Sequence, residues 1–123
     1  MAEHNTLGQQ GEAIALDYLK KKGYTILAKN WRFHPYELDI VAQTDQELVI
    51  VEVKTRSANY LALPEDAVSN RKIRFLVAGA DMFIKQKDIA LSARFDVITV
   101  VIEDGKYSIN HIEDAFYPPI ERR

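Results

Sequence analysis

Residues 49–56 read VIVEVKTR, and this stretch constrains the fold more than any other part of the chain. Its three valines and one isoleucine demand burial in a sheet, yet the same strand carries Glu52 and Lys54. A polar turn around Asp45 and Gln46 joins it to a second strand-like run, ELDIVAQ. In a bulge-free hairpin, that turn sets Asp39 directly across from Glu52, Glu37 across from Lys54 and Val41 across from Ile50, all on one side. The other side pairs Leu38 with Val53, Ile40 with Val51 and Ala42 with Val49, and is wholly apolar. Two opposed carboxylates with Cβ atoms about 4.5–5.5 Å apart repel, so something must compensate them. A divalent cation does so with oxygen ligands from one or two carboxylates. The plainer reading is a solvated face on which Lys54 pairs with Glu37 and neutralises Asp39. Val41 and Ile50 on that same face imply a cover, and a cover beside unpaired carboxylates describes a cleft.

Around this hairpin the chain is ordered as helix, three strands, helix, two strands. Gly11, Ala15, Tyr18 and Leu19 fall on one helical face of residues 7–22, and Gly23 is the stop signal. YTILAKNWRF begins the strands. A small-residue loop follows from Ser57 to Leu63 and ends at Pro64. Ile73, Leu76, Val77, Ala80 and Ile84 then predict a helix from Ser69 to Lys87. RFDVITVVI and KYSINHI are two strands joined at Asp104-Gly105, a strong hairpin signal. Two links suit antiparallel hairpins, and the crossover through the second helix suits a parallel neighbour. The expected architecture is one α/β domain over residues 1–123 with a mixed sheet and helices, and residues 113–123 as an extended tail.

A chain of 123 residues can bury one core without disulfides or a structural metal. The absence of cysteine excludes disulfides, thiolate zinc sites and a cysteine nucleophile, and suits a reducing compartment. No leader-like segment or membrane-length apolar run is present, so the expected location is cytoplasmic, with no membrane partner. The net charge of −2 lacks the basic footprint of a nucleic-acid binder. Any phosphate contact must come from a local cluster or a bound metal. No feature fixes whether the chain forms a homo-oligomer.

A third acid, Glu12, lies on the first helix at the margin of its packed stripe; its alternative role is to complement the helix dipole. Arg71, Lys72 and Arg74 form the best basic cluster. Cations at a helix start oppose its dipole, and an anion would relieve the conflict. Equally, they are solvated side chains neutralised by Glu65 and Asp66. Arg56 shares the side of Glu52 and Lys54, and Lys29 and Arg32 extend the path with less support. Trp31, Phe33 and Tyr36 can stack on bases, although such aromatics more often pack. Asp96 is a further candidate site acid by proximity, although pairing with Arg94 or capping a turn is the safer expectation, and His4, His34 and His111 show no ligand or triad spacing. Phe116 and Tyr117 in the tail AFYPP either cover the core or dock on a partner.

With Glu12, Asp39 and Glu52-Val53-Lys54 in place, the chain resembles the PD-(D/E)XK nuclease-like superfamily, and more closely the small bacterial YraN-like family. The matching elements are GQQGEAIALDYL, GYTILAKNWR, ELDIV, VIVEVKTR, the basic start of the second helix, and RFDV. Where that family usually has glycine before its Glu-hydrophobic-Asp unit, this chain has Tyr36. The resemblance implies a restriction-endonuclease-like αβββαβ core, metal-dependent phosphodiester hydrolysis, and kinship with nucleases that cleave DNA junctions. On it, Asp39 and Glu52 would hold Mg2+ or Mn2+, with Glu12 contributing directly or through water. Lys54 would orient the attacking water or neutralise developing charge, and Glu37 would steady Lys54. Arg56, Arg71, Lys72 and Arg74 would bind nucleic acid, expected to be branched or single-stranded DNA. The alternative is a non-catalytic nucleic-acid-binding or repair-accessory module on the same fold.

Overall fold

The computed structural model describes residues 6–57 and 68–116. Helix α1 spans Leu7–Lys21. It starts at Thr6, whose hydroxyl accepts the Gln9 N–H at 3.1 Å while the Gln9 side-chain oxygen accepts the Thr6 N–H at 3.0 Å. This reciprocal box satisfies two donors that a helix start leaves orphaned. After α1, Gly23 takes φ +95°, a left-handed conformation that glycine adopts without Cβ strain.

Strands β1 (Thr25–Phe33), β2 (Tyr36–Gln43) and β3 (Glu47–Ser57) follow. Helix α2 (Asn70–Lys87) then leads to β4 (Ser92–Glu103) and β5 (Lys106–Ile112). The strands lie in chain order in one five-stranded sheet. Only β3 and β4 are parallel, as the crossover through α2 requires. Besides the two expected hairpins, β1 and β2 form a third antiparallel pair through His34 and Pro35. The Asp104-Gly105 turn has φ of +49° and +76°, which is why that dipeptide signals a hairpin.

Both faces of the sheet are covered. Ala15 and Leu19 of α1 pack on Ile40, Ala42, Val49 and Val51. Leu76, Ala80 and Phe83 of α2 pack on Val41, Leu48 and Ile50. The alternation along β3 therefore feeds two cores, and α2 is the cover that Val41 and Ile50 demanded. Close approach sets the helix positions: a Cβ on Gly11 would overlap the Thr55 side chain, and one on Gly79 would lie 3.2 Å from the Cβ of Tyr36 and 3.3 Å from Leu38.

One expected face assignment is corrected. Leu38 belongs with Val41 in the α2-side core, not with Ile40 on the α1 side. The alternation breaks at Asp39. Asn30 lies level with it on β1, between the pairs Lys29–Ile40 and Trp31–Leu38, and has φ +50°. The tail is also corrected at its start: the chain turns at Glu113–Asp114, with Asp114 at φ +54°. The Ala115 N–H then bonds the Phe95 carbonyl at 2.7 Å, and Phe116 stacks on Phe95 at 5.3 Å. Phe116 thus covers the chain's own core. The expected loop beyond Ser57, with Pro64, Glu65 and Asp66, lies outside the described residues, as do His4, Tyr117 and the rest of the tail.

Candidate functional site

The β2–β3 ladder follows the expected alignment from Gln43–Leu48 to Ile40–Val51. Its next rung is replaced by a side chain: the Val53 N–H donates to Asp39 Oδ2 at 2.9 Å. The split accounts for the position of the Asp39 carboxylate. Where the alternation breaks, Asp39 sits between the two faces of the sheet and takes a donor that the ladder would otherwise leave unpaired.

Glu52 comes from the α2 side of β3, and its side chain is 13% exposed. Burial, then repulsion and hydrogen bonding by Asp39, push its carboxyl up to about 7 against the opposing pull of Lys72 and Lys54. The expected meeting of Asp39 with Glu52 is thus present, made by side chains where the strands part rather than by a continued ladder. Lys72 Nζ lies 3.7 Å from Glu52 Oε2 and acts on it more strongly than Lys54 does. The first turn of α2, capped by Ser69 accepting the Lys72 N–H at 3.1 Å, holds that lysine at the carboxylates. Arg71 and Arg74 are exposed on the same helix start, and no acid lies in its first turn.

Glu12 reaches the site from the α1 side, half-buried at the margin of the stripe formed by Gly11, Ala15 and Leu19. Burial and the charge of Asp39 raise its carboxyl, while a hydrogen bond from Asn30 works against them. Glu12 and Asp39 share a cleft of about 260 Å³ with Gln9, Leu16, Lys29 and Asn30. Asp39 is thereby electrostatically linked to Glu12 on one side and to Glu52 on the other.

The remaining expected residues divide. Glu37 does not steady Lys54, because the ladder does not reach them; its carboxylate lies 3.4 Å from Arg32 Nε, its register partner on β1. Arg56 stands at the end of β3 and donates to the Thr55 carbonyl at 2.9 Å. Trp31 packs edge-on against Phe83, and Tyr36 packs against Phe75 of α2 rather than into the α1-side cleft.

Asp96 is structural, as expected. It accepts two bonds from Arg94, at 2.9 and 2.8 Å, and the Asp114 N–H at 3.0 Å. His111 Nε2 lies 2.8 Å from Asp96 Oδ2, and its Nδ1 lies 3.0 Å from the Tyr18 hydroxyl. With the imidazole proton on Nε2, the histidine donates to Asp96 and accepts from Tyr18. Burial would raise the Asp96 carboxyl, but the bonds from His111, Arg94 and Asp114 outweigh it and hold it below the ordinary range. His111 is a partner that sequence spacing missed, because the β4–β5 pairing brings it there. Asn30 was also missed. An asparagine inside a strand-like run was the available signal, since asparagine tolerates positive φ.

Among the described residues, no three histidine, aspartate or glutamate side chains converge as a ready metal cluster. Asp39 and Glu52 instead offer two carboxylates in a crowded, partly buried place. That donor set fits Mg2+ or Mn2+, hard ions held by one or two carboxylates with waters and phosphate completing the shell. Glu12 is placed to act on Asp39 across the cleft or through water. No helix among the described residues is long and apolar enough to cross a membrane.

The family described as uncharacterised protein family UPF0102 matches residues 11–100, a span that contains Glu12, Asp39, Glu52, Lys54 and Lys72. The chain is 50% identical over 119 residues to a UPF0102 protein of Parabacteroides distasonis, covering 97% of this chain and 98% of that protein. It is 53% identical over 120 residues to one from Bacteroides fragilis, covering 98% and 99%. A third, from Flavobacterium psychrophilum, is 48% identical over 117 residues, covering 95% and 98%.

Proposed function

The chain belongs to the uncharacterised protein family UPF0102, and from the arrangement of its carboxylates we propose that it is a metal-dependent endonuclease-like protein of the PD-(D/E)XK superfamily, hydrolysing phosphodiester bonds in DNA. The observation that carries this reading is the meeting of Asp39 and Glu52 at the split between β2 and β3, with Glu52 pushed up to about 7. A fold concerned only with stability gains nothing from two half-buried acids that repel. A site that takes up positive charge does.

Asp39 and Glu52 would hold Mg2+ or Mn2+, with Glu12 supporting Asp39 from the α1 side. Such an ion would supply Lewis-acid polarisation of the scissile phosphate and a lowered pKa for a bound water. Lys72 and Lys54 neutralise charge that develops on the phosphoryl oxygens. Arg71 and Arg74, on an exposed helix start without acids, take the flanking phosphates, and Arg56 extends the basic surface along β3. Branched or single-stranded DNA is the substrate this reading expects.

The deciding experiment offers single-stranded, duplex and branched DNA to the purified protein with and without Mn2+, beside a folded Glu52→Ala protein. Cleavage that needs Mn2+ and vanishes in the variant is the expected result. Cleavage that persists in the variant rejects the site. One observation favours the non-catalytic alternative, namely that Lys72 already gives Glu52 a counter-charge. Its signature is salt-sensitive DNA binding without turnover in any metal.

A further inference from the structure

We propose that Phe33, Tyr36 and Phe75 form a stacking platform for unpaired nucleobases beside the carboxylate pair, so that the DNA strand approaching the site is single-stranded there. The inference deepens the nuclease reading above and rests on it. Three observations converge on the platform.

The first is an aromatic row across two strands and a helix. Phe33 and Tyr36 are direct register partners on β1 and β2, which places their side chains on one face. Tyr36 in turn meets Phe75 of α2, with ring centroids 5.6 Å apart and planes at 67°. Phe33 and Phe75 are 42% and 39% exposed, although α2 buries Phe83 to 1%. Large aromatic surface is thus left open at both ends of the row.

The second is rigidity. Gly79 lets α2 approach so closely that a Cβ there would lie 3.2 Å from the Cβ of Tyr36. Phe33 is backed by Trp31, stacked at 6.3 Å with planes 14° apart, and Trp31 is backed by Phe83. Rings held in this way lose little conformational freedom when a base stacks on them.

The third is the charge around them. The Arg71 guanidinium lies 5.8 Å over the Phe75 ring. Lys72, three residues before Phe75, has its ammonium 3.7 Å from Glu52. Base-sized aromatic faces, cations for phosphates and the carboxylate pair therefore adjoin within the first two turns of α2. A peptide partner would need no such run of cations. Duplex bases have their faces occupied by one another, so only an unpaired base can use the rings. Tyr36, packed against Phe75, then adds to that binding surface.

The test uses a short thymine oligonucleotide carrying one 2-aminopurine, in Ca2+ to hold back turnover, and a blunt duplex of equal length. Binding to the wild-type protein should quench the 2-aminopurine. Phe75→Leu, which keeps an apolar side chain, should weaken single-strand binding about fivefold to about a hundredfold and remove much of the quenching. Duplex affinity should stay unchanged, and Phe75→Trp should restore the single-strand value. Equal losses on both polymers, or no loss in Phe75→Leu, overturn the platform while leaving Mn2+-dependent cleavage to be judged by the Glu52→Ala control. A wild-type protein that binds neither polymer overturns the platform, and cleavage of branched DNA in Mn2+ then decides the nuclease reading separately.

Discussion

Two acidic centres occupy neighbouring strands of this sheet, and their surroundings are opposite. Asp96 on β4 is 1% exposed and accepts bonds from Arg94, His111 and the Asp114 backbone. Glu52 on β3 is also largely buried, yet it faces Asp39 and has one lysine at 3.7 Å. The first carboxylate is pulled below its usual range and the second is pushed above it. Burial is common to both, so it does not separate a structural acid from the one proposed to hold a metal. The number of donors aimed at the oxygens is what differs between them.

The largest expected effect strikes the satisfied centre. Asp96→Ala strips the Arg94 guanidinium of two bonds, leaving it Glu47 at 3.1 Å and Tyr24 at 2.8 Å. It also takes the acceptor from the His111 and Asp114 N–H donors, and together these losses should cost about 3–5 kcal/mol in urea unfolding. Because Asp96 titrates below its unfolded value of 3.8, its contribution is present above that pH and fades as the pH falls through the lower folded value. In the variant that acid-side loss should disappear. A loss below 1 kcal/mol would remove the contrast between the two centres.

The opposite sign is expected at Glu52. Its carboxyl is raised from 4.5 to about 7, so the folded protein binds a proton more tightly than the unfolded chain does. Stability therefore falls as pH rises through that window, and the full penalty applies above it. Glu52→Gln removes the charge and should stabilise the metal-free protein by up to about 3 kcal/mol at pH above 7, with no gain below pH 4.5. Thermal melts across this range test it. Mn2+ should stabilise the wild type and leave the variant unmoved, whereas a Glu52→Gln protein that is less stable at high pH would make Glu52 a second structural acid.

The difference between these centres was only half legible in the sequence, for a physical reason. Helix limits, the Asp104-Gly105 turn and the alignment set by the Asp45–Gln46 turn depend on residues close in the chain, and their local chemistry is explicit. The meeting of Asp39 and Glu52 followed from that alignment. The break at Asp39 did not, because it is shared with Asn30 on another strand, whose φ of +50° no hairpin rule dictates. Lys72 reaches Glu52, and His111 reaches Asp96, only once α2 has docked and β5 has paired. Gly79 and Phe83 were absent from the expected α2 stripe, yet they set how closely that helix lies. Phe75 falls just off the stripe, which was the available hint of its exposure.

A smaller change sharpens the contrast through Glu12. A Cβ at Gly11 would overlap the Thr55 side chain, so Gly11→Ala must push α1 away from β3 or displace Thr55. The expected cost is about 1–3 kcal/mol, as for other overpacked contacts, partly recovered with Thr55→Ala. Because Glu12 is the next residue, cleavage should fall more steeply than stability in the single variant and return in part in the double one. Unchanged cleavage in a destabilised Gly11→Ala protein would separate Glu12 from the site.

The smallest effect on stability, and the sharpest on mechanism, is expected at Lys72. Its side chain is 45% exposed and its pair with Glu52 is long, so Lys72→Met should change stability by no more than about 1 kcal/mol. The same ammonium stands beside the carboxylate proposed to hold the metal, where two cations would compete for one negative centre. Removing it should tighten Mn2+ binding in calorimetry while weakening DNA binding and lowering its salt slope by about 1. Opposite signs from one substitution are what a lysine shared between carboxylate and phosphate requires; a purely structural lysine would weaken both, and a lysine that contacts only phosphate would leave Mn2+ binding where it was.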